Sequence, residues 1–254
     1  MSNLILPNCK INNIKMVVFD KDGTLIDIHY YWYSMIEFRA RFFIDSIDID
    51  KNQKEKLYKE LINNMGIDIN LKKMKPEGPV GIKPRSYIVE VVLNTIKQYD
   101  NNYTKEMVEN IFAKVDEYSK TKLNQIVKLL PNVKDLLNNL KNSNTLITIA
   151  TTDLTKRAKL AIQALNLESF FDEIVGADLV KRAKPYSDLL DLLLQKFGIN
   201  KDEIVLIGDS IADLEMAKNA ECKFIGVKTG LYNDEFLNNT KYLINDLSEI
   251  KVEK

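Results

Sequence analysis

The chain has 254 residues, in which 36 basic and 36 acidic side chains give a formal net charge of +0. A chain of this length can bury roughly three quarters of the surface of its unfolded state, so it needs neither a disulfide nor a structural metal to form a core. Its balanced charge provides no overall attraction to nucleic acid or to an anionic membrane. We therefore expect an ordinary globular protein with no nucleic-acid or membrane partner.

The two cysteines, Cys9 and Cys222, lie far apart and have no C-x-x-C spacing. They predict neither a disulfide framework nor a zinc site, and a reducing cytoplasmic location fits them best. The apolar run 4–6 ends at Pro7 with no basic segment before it and no cleavage site after it, so we expect no secretory signal. No apolar stretch approaches the ~20 residues that span a bilayer.

Short apolar runs rich in Val, Ile and Phe predict five buried parallel strands. In chain order they are residues 16–19, 146–150, 173–176, 204–207 and 224–227. The last four alternate with segments of helical period, such as 154–165 and 187–197, as the βα units of a doubly wound α/β sheet require. The segment between the first two runs is far longer than the usual crossover, which predicts an inserted helical domain.

The insert is predicted to form helices over residues 30–46, 51–64, 86–99 and 104–126. A loop rich in Pro and Gly, residues 76–84, separates the second helix from the third. Pro131 is expected in the first turn of the next helix. We place residues 1–27 and 130–254 in the α/β core and residues 28–129 in an all-helical cap domain.

Two carboxylates, Asp20 and Asp22, follow the first predicted strand in the segment D-K-D-G-T-L of residues 20–25. Ligand sites in open α/β sheets lie at the carboxyl edge of the strands, where this segment begins. One of two neighbouring carboxylates can act as nucleophile or metal ligand while the other carries a proton. At ~4 Å and an effective dielectric of ~20 their repulsion is about 4 kcal/mol, which a cation or a proton must offset. A surface turn rich in Asp and Gly is the alternative for this segment alone.

A second pair of carboxylates, Asp209 and Asp213, follows the fourth predicted strand in the segment G-D-S-I-A-D. Their spacing lets both face the same way as a helix begins. Because parallel strands end at the same edge, these carboxylates would converge with Asp20 and Asp22. A hard divalent cation, Mg²⁺, would then compensate the charge. Taken alone, Asp209 could simply cap the helix.

Two further features suit an anion at the same edge. Thr151 and Thr152 end the second predicted strand, and Lys184-Pro185 follows the third, so a hydroxyl donor and a cation become available there. Each is weak by itself, because a turn threonine and a solvated lysine give the same pattern.

Together these segments resemble the haloacid dehalogenase-like hydrolases, and within them the phosphatases with a helical cap inserted after the first strand, such as phosphoglycolate phosphatase-like enzymes. The four motifs of that family occur in order, as D-K-D-G-T-L at 20–25, a strand ending at Thr151, Lys-Pro at 184–185 and G-D-S-x-x-D at 208–213. The resemblance covers the core and the position of the cap, but not the cap sequence. Ser187 departs from the pattern K-P-x-P-D, in which many relatives have a second proline.

The resemblance implies hydrolysis of a small phosphomonoester through an aspartyl-phosphate formed on Asp20. Asp22 would protonate the leaving oxygen and later deprotonate the attacking water. Thr151 and Lys184 would hold the oxygens of the transferring phosphoryl group, which is the main task of a protein in this chemistry.

The resemblance also implies a ligand set for Mg²⁺. The carboxylates of Asp20 and Asp209, the backbone carbonyl of Asp22 and a water held by Asp213 would complete the metal shell. The cap would close over the site and exclude water.

Four further residues are candidates for substrate binding. Gly23 would allow a tight backbone approach in which nearby N–H groups face the phosphate. Thr152 offers a second hydroxyl. Lys83 and Arg85, in the irregular loop of the insert, could contact a second anionic group of the substrate, although plain surface charge is the simpler alternative.

Two other functions stay open. A phosphotransferase such as a phosphoglucomutase-like relative would use the same catalytic residues. A non-catalytic phosphate-binding regulatory protein would be expected to lack part of the site, and here no motif residue is missing. The sequence identifies neither the substrate, for which phosphoglycolate is the first compound to try, nor whether the protein is a monomer or a homodimer.

Overall fold

A computed structural model of the chain describes residues 2–81, 83–231 and 234–254. The strands are β1 (Ser2–Leu6), β2 (Cys9–Ile14), β3 (Met16–Phe19), β4 (Ile67–Asp68), β5 (Lys73–Met74), β6 (Leu146–Ala150), β7 (Glu173–Val175), β8 (Ile204–Gly208), β9 (Lys223–Val227), β10 (Leu243–Ile244) and β11 (Lys251–Glu253). The α-helices are α1 (Ile28–Ser46), α2 (Lys51–Asn64), α3 (Arg85–Ile96), α4 (Lys105–Thr121), α5 (Leu123–Ile126), α6 (Val133–Asn142), α7 (Thr155–Ala164), α8 (Asp188–Phe197), α9 (Ile211–Asn219) and α10 (Asp234–Asn239).

A parallel sheet has the strand order β10-β9-β8-β3-β6-β7 within the described residues. β3 lies between β6 and β8, and Phe19 at its end is opposite Ile149 and Ile207. Every residue of β3 and of β8 is buried, as expected for strands covered on both faces. The α/β class and the five predicted strands are therefore confirmed. The structure adds β10, a two-residue strand at the edge that sequence patterning did not predict.

The helices that separate the core strands were also predicted, with one error. α7 and α8 lie within a residue of the predicted segments 154–165 and 187–197. The prediction for Pro131 is wrong, because α6 begins two residues later. Asn132, at the N-cap position of that helix, has a left-handed backbone, φ 62°, so the chain is not yet helical at Pro131.

The chain divides into two compact units, Met1–Asp27 with Val127–Lys254, and Ile28–Ile126. The assignment of these units as catalytic core and cap stays a proposal. The second unit consists mainly of helices, which agree with the predicted ones to within about three residues except at the last. That predicted helix is divided at Lys122, whose non-helical backbone separates α4 from α5. The short hairpin of β4 and β5 was not predicted.

The start of α2 lies at Lys51, as predicted, and a capping box stabilises it. The side chain of Asp50 accepts hydrogen bonds from the backbone N–H groups of Asn52 and Gln53, at 2.8 and 3.0 Å. The side chain of Gln53 accepts one from the N–H of Asp50, at 3.2 Å. This capping box satisfies backbone donors that a helix start otherwise leaves unpaired.

The two ends of the described chain meet in a small antiparallel sheet with the order β11-β1-β2. In β1, Ser2, Leu4 and Leu6 are buried and alternate with less buried residues, which is the period of a strand with one covered face. Cys9, the first residue of β2, and Cys222 are free cysteines. No helix in the described ranges is long and apolar enough to cross a membrane.

Candidate active site

The carboxyl ends of β3 and β8 bring three predicted acidic residues together. Asp20 directly follows β3, and its backbone N–H donates to the carbonyl of Ile207 in β8, at 2.8 Å. One carboxylate oxygen from each of Asp20, Asp209 and Asp213 lies within 4.8 Å of the others, and all three residues are buried. The arrangement therefore concentrates negative charge at the edge of the sheet where ligands bind in this class of fold.

The side chain of Asp22 does not join this cluster. Its two carboxylate oxygens lie 2.9 and 2.7 Å from the Nζ of Lys21. Lys21 is buried, whereas the Asp22 side chain is 36% exposed. The metal ligand expected from Asp22 was its backbone carbonyl, and that role stays a prediction. Because the carboxylate of Asp22 lies outside the cluster, it is available for other chemistry.

The local structure at the start of α9 fixes Asp213. Ser210 is the N-cap residue, and its hydroxyl oxygen accepts a hydrogen bond from the N–H of Asp213, at 3.3 Å. In return, the carboxylate of Asp213 accepts hydrogen bonds from the hydroxyl and the N–H of Ser210, at 2.5 and 3.2 Å. Ser210, rather than Asp209, therefore caps the helix, and the capping box orients a carboxylate of the cluster.

Asp209 is held by two loops. Its Oδ1 accepts a hydrogen bond from the hydroxyl of Thr24 at 3.1 Å, and its Oδ2 accepts one from the N–H of Leu231 at 3.1 Å. A Cβ added at Gly23 would lie 2.3 Å from Oδ2 of Asp209, and one added at Gly230 would lie 1.7 Å from it. Only glycine at these two positions permits such close packing against the carboxylate.

Gly23 has a left-handed backbone, φ 93°, which other residues rarely adopt. Its N–H donates to the carbonyl of Ile26 at 2.8 Å, and its carbonyl accepts from the hydroxyl of Thr229 at 2.6 Å. The N–H of Gly23 is thus used within its own turn. What Gly23 contributes directly in this structure is the space that Asp209 occupies.

The ammonium group of Lys184 lies among the clustered carboxylates. It contacts the carboxylate of Asp20 and lies 2.6 Å from Oδ1 of Asp213. Thr151 is buried at the end of β6, next to β3, and its hydroxyl oxygen accepts a hydrogen bond from the N–H of Asp153 at 3.2 Å. Thr152 is exposed. Their roles in binding a phosphoryl group stay predictions.

Burial dominates the electrostatics of the cluster. It raises the pKa of Asp20 to about 7, although the charge of Lys184 opposes the shift and that of Asp213 adds to it. Burial, together with the charges of Asp20 and Asp213, raises the pKa of Asp209 well above its ordinary value. Burial opposes the charge of Lys184, but the adjacent Asp20 and Asp213 raise its pKa overall. Burial and the mutual repulsion of the carboxylates therefore make the cluster favour a bound proton or an added cation.

This donor set fits Mg²⁺. The three carboxylates supply only oxygen ligands, which hard divalent cations prefer, and no sulfur or imidazole ligand belongs to the cluster among the described residues. A divalent cation would also supply the positive charge that Lys184 alone does not. Asp20, Asp209 and Asp213 are the side chains that would hold it.

Lys83 and Arg85 belong to the other compact unit. Lys83 is exposed just before α3. Arg85 begins that helix, and its guanidinium forms an ion pair with Asp116 of α4 at 2.5 Å and lies 5.2 Å from the ring centroid of Phe112. Arg85 is therefore already paired within its own unit, and substrate binding by either residue stays a prediction.

Several residues of the site were not identified from the sequence. They are Thr24, Asp153, Ser210, Thr229, Gly230 and Leu231. The segment after β9 lacks the spacing of a nucleotide-binding loop, and its residues form no other recognisable motif. Because β9 is parallel to β8, that segment begins at the same edge as Asp209, and this topology was the signal that could have identified it.

Residues 63–227 match the family model of the haloacid dehalogenase-like hydrolases, which is more than half of the chain. The matched region contains Thr151, Lys184, Asp209 and Asp213, whereas Asp20 precedes it. The chain belongs to this family of hydrolases, as the order of its four motifs predicted.

Individual relatives agree with this assignment. The pyrophosphatase PpaX of Oceanobacillus iheyensis is 22% identical over 94% of this chain and 95% of its own length. A phosphoglycolate phosphatase of Haemophilus influenzae is 26% identical over 61% of this chain and 70% of its own length. The crystal structure of a subfamily IA hydrolase from Geobacter sulfurreducens has a TM-score of 0.64, with 17% identity over 92% of this chain and 93% of that one. Some other curated relatives are matched over less than two thirds of their length, one of them over 46%.

Proposed function

We propose that this chain is a Mg²⁺-dependent phosphatase that hydrolyses a small phosphomonoester through an aspartyl-phosphate on Asp20. The observation that carries the proposal is the convergence of Asp20 with Asp209 and Asp213, where the buried ammonium of Lys184 is shared between Asp20 and Asp213. Membership of the hydrolase family and the phosphatase names of its relatives support a phosphate ester as the substrate class.

In the first half of the reaction, a carboxylate oxygen of Asp20 attacks phosphorus and the bond from phosphorus to the leaving oxygen breaks. Asp22 gives its proton to that oxygen as the leaving group departs. Lys184 and the hydroxyl of Thr151 bind the other phosphoryl oxygens. These fixed groups supply the positioning and charge on which phosphoryl transfer mainly depends.

In the second half, a water molecule attacks the phosphorus of the aspartyl-phosphate and Asp22 takes up its proton. The bond between phosphorus and the Asp20 oxygen breaks, which releases inorganic phosphate and restores the carboxylate. Asp22 thus ends the cycle protonated, ready to act as an acid again. Its partial exposure is consistent with proton exchange at both stages.

The metal would be held by the carboxylates of Asp20 and Asp209 and the backbone carbonyl of Asp22, with Asp213 contributing through water. When bound, Mg²⁺ would offset the charge of the acidic cluster and polarise the phosphoryl group. Gly23 keeps the approach to Asp209 open, since any side chain there would overlap that carboxylate.

Phosphoglycolate is the first substrate to test, because a relative has that name. Thr152 is placed beside the phosphate in this proposal, and Lys83 or Arg85 would contact a second anionic group such as a carboxylate. A cytoplasmic location also belongs to the proposal and is supported by the two free cysteines.

The experiment is a phosphate-release assay with phosphoglycolate, other small phosphomonoesters and 4-nitrophenyl phosphate, in Mg²⁺ and in excess EDTA. We expect Mg²⁺-dependent turnover that Asp20→Asn abolishes. Asp135→Asn is the matched control, because Asp135 is exposed on α6 outside the cluster, and it should leave turnover unchanged.

Three results would contradict the proposal or favour another function. Turnover that survives Asp20→Asn or EDTA would exclude the proposed mechanism. Binding of a phosphate analogue with no turnover of any ester would favour a regulatory protein. Transfer of the phosphoryl group to a sugar phosphate, with no release of inorganic phosphate, would favour a phosphotransferase.

A further inference from the structure

Lys21 is a buried cation that the proposed reaction does not yet use. It stands between Asp20 and Asp22, and only 6% of its side chain is exposed. Burial of a lysine is costly unless the ammonium group is paired. Lys21 is paired twice, with Asp22 and with Asp153, so its position is determined by specific partners.

The first partner, Asp22, is contacted symmetrically. The Nζ of Lys21 lies 2.9 Å from Oδ1 and 2.7 Å from Oδ2 of Asp22. In the part of the chain that the structure describes, no other side chain is recorded within hydrogen-bond or ion-pair distance of this carboxylate. A carboxylate that is 36% exposed would otherwise sample several rotamers, so Lys21 is the group that restricts it.

The second partner, Asp153, ties Lys21 to the loop after β6. Its Oδ2 lies 3.3 Å from the Nζ of Lys21, and its Oδ1 accepts a hydrogen bond from the N–H of Leu154 at 2.8 Å. Its backbone is fixed on both sides. The N–H donates to the hydroxyl of Thr151 at 3.2 Å, and the carbonyl accepts from the N–H of Ala177 at 3.0 Å.

Arg157 also approaches Asp153, with its Nε 3.4 Å from Oδ1. Its side chain is largely exposed, so it competes only weakly for the carboxylate. Lys21 therefore connects the partly exposed carboxylate of Asp22 to the anchored carboxylate of Asp153. Asp153 is in turn bonded to the buried threonine of the same loop.

We propose that Lys21 and Asp153 are positioning residues that hold the side chain of Asp22 where its carboxyl form can transfer a proton to the leaving oxygen and its carboxylate form can later accept one. The inference rests on the proposed function, because it takes Asp22 as the acid and base. Neither residue need touch the substrate. Their effect is to limit the orientations of Asp22, and a catalytic group that is misplaced by about 1 Å can lose about 10²-fold in rate.

This role has a kinetic signature. Proton donation matters most when the leaving oxygen is strongly basic, and matters little when the leaving group is stable as an anion. The value of kcat/KM reports the steps up to cleavage of the ester bond, so it is sensitive to Asp22 acting as an acid. A misplaced Asp22 should therefore make kcat/KM fall more steeply as the leaving phenol becomes more basic.

The test measures kcat/KM for a series of aryl phosphates, from 4-nitrophenyl to 4-methylphenyl phosphate, in saturating Mg²⁺. Lys21→Met keeps the length of the side chain and removes its charge. We expect it to lower kcat/KM about 10²-fold for 4-methylphenyl phosphate and less than about 3-fold for 4-nitrophenyl phosphate. Asp153→Asn should also lower kcat/KM more for the poorer leaving group, by about 10-fold for 4-methylphenyl phosphate. Lys21→Arg should restore part of the loss.

The matched control is Lys15→Met. Lys15 is partly exposed and lies outside the acidic cluster, and its Nζ is 2.6 Å from Oε1 of Glu203. This substitution should leave kcat/KM unchanged for both 4-nitrophenyl and 4-methylphenyl phosphate. Circular dichroism and thermal unfolding of each variant show whether it is folded. Should Lys21→Met fail to fold, Asp153→Asn and Lys21→Arg provide the same comparison.

Each other outcome contradicts a different statement. Equal losses for every aryl phosphate would show a merely structural role for Lys21 and overturn the inference. A uniform rise in KM with unchanged kcat would mean that Lys21 binds the substrate directly, which also overturns it. If the wild type hydrolyses none of the esters, the proposed function fails instead, so the two failures are distinguishable.

Discussion

The ammonium of Lys184 lies 2.6 Å from Oδ1 of Asp213, with 2% of the lysine side chain exposed, and it also contacts Asp20. Removal of one partner from a buried charge cluster leaves the others uncompensated, which typically costs about 3–5 kcal/mol. We therefore expect Lys184→Met to lower the free energy of unfolding by that amount at pH 7.5 in EDTA, measured by urea denaturation.

The matched control is Lys201→Met, because Lys201 pairs with Glu221 on the surface. Exposed pairs contribute about 0–1 kcal/mol, so this variant should unfold almost as the wild type does. Added Mg²⁺ should recover part of the stability of Lys184→Met by compensating the same carboxylates. An unfolding midpoint equal to that of Lys201→Met would contradict the assignment of Lys184 as the shared counterion.

The acidic cluster also predicts how the stability of the metal-free protein depends on pH. Burial raises the pKa of Asp20 from 3.8 to about 7 and raises that of Asp209 well above 3.8. Between these values the folded protein holds protons that the unfolded chain has released, so the stability falls as pH rises. The contribution of these protonated carboxyl groups to stability is largest below about pH 4 and is lost towards pH 7. Each proton that only the folded protein retains lowers the free energy of unfolding by about 1.4 kcal/mol per pH unit.

The measurement is the free energy of unfolding in EDTA between pH 5 and pH 7.5. We expect it to decrease across this range in the wild type and to decrease less in Asp20→Asn, which has one titratable carboxylate fewer. Mg²⁺ should stabilise the wild type more at pH 7.5 than at pH 5, since protons compete with the metal. Stability that rises with pH in EDTA would contradict the account.

Gly230 is expected to set the affinity of the metal site. An added Cβ would lie 1.7 Å from Oδ2 of Asp209, so Gly230→Ala must displace either the loop or the carboxylate. We predict at least a ~10-fold increase in the Mg²⁺ concentration that gives half-maximal activity, which corresponds to about 1.4 kcal/mol.

Gly198→Ala separates this steric effect from backbone strain. Gly198 has a left-handed backbone, φ 62°, with no atom within 4 Å of an added Cβ. Alanine there should cost about 1 kcal/mol in the free energy of unfolding and leave the Mg²⁺ dependence unchanged. An identical Mg²⁺ dependence in both alanine variants would contradict the role assigned to Gly230.

Ser210 is expected to link the stability of α9 to the metal site. Ser210→Ala removes the hydroxyl that bonds both the N–H and the carboxylate of Asp213. It should lower the free energy of unfolding by about 1 kcal/mol, as loss of an N-cap does. It should also raise the Mg²⁺ concentration that gives half-maximal activity. Thr104→Ala removes the N-cap bond of α4 to Met107 and should cost the same stability without the second effect. Equal Mg²⁺ titrations for the two variants would show that Ser210 is only a cap.

Local patterns predicted the core of the fold. Each buried strand is a short run rich in Val, Ile, Leu or Phe, as in Met16–Phe19, and such runs need no information from distant residues. The motifs follow these strands directly, so the convergence of Asp20 with Asp209 could be expected from the parallel order of the strands alone. The antiparallel sheet of β1, β2 and β11 could not be predicted in this way, because it joins residues from opposite ends of the chain.

The missed residues of the site are missed for a related reason. The contact of Asp153 with Lys21 and that of Gly230 with Asp209 join different loops. An aspartate or a glycine in a loop has no distinctive pattern of its own. Their contributions depend on distances of a few ångströms that only the folded chain determines.

The most direct test of the central claim is to identify the residue that becomes phosphorylated. In Asp22→Asn, 4-nitrophenyl phosphate should still form the aspartyl-phosphate, because its leaving group needs no acid, but hydrolysis should be slow without a base. Acid quench and peptide mass spectrometry should then find the phosphoryl group on Asp20, and Asp20→Asn should carry none. Phosphate release at the wild-type rate from Asp20→Asn, or a phosphoryl group on any other residue, would contradict the account.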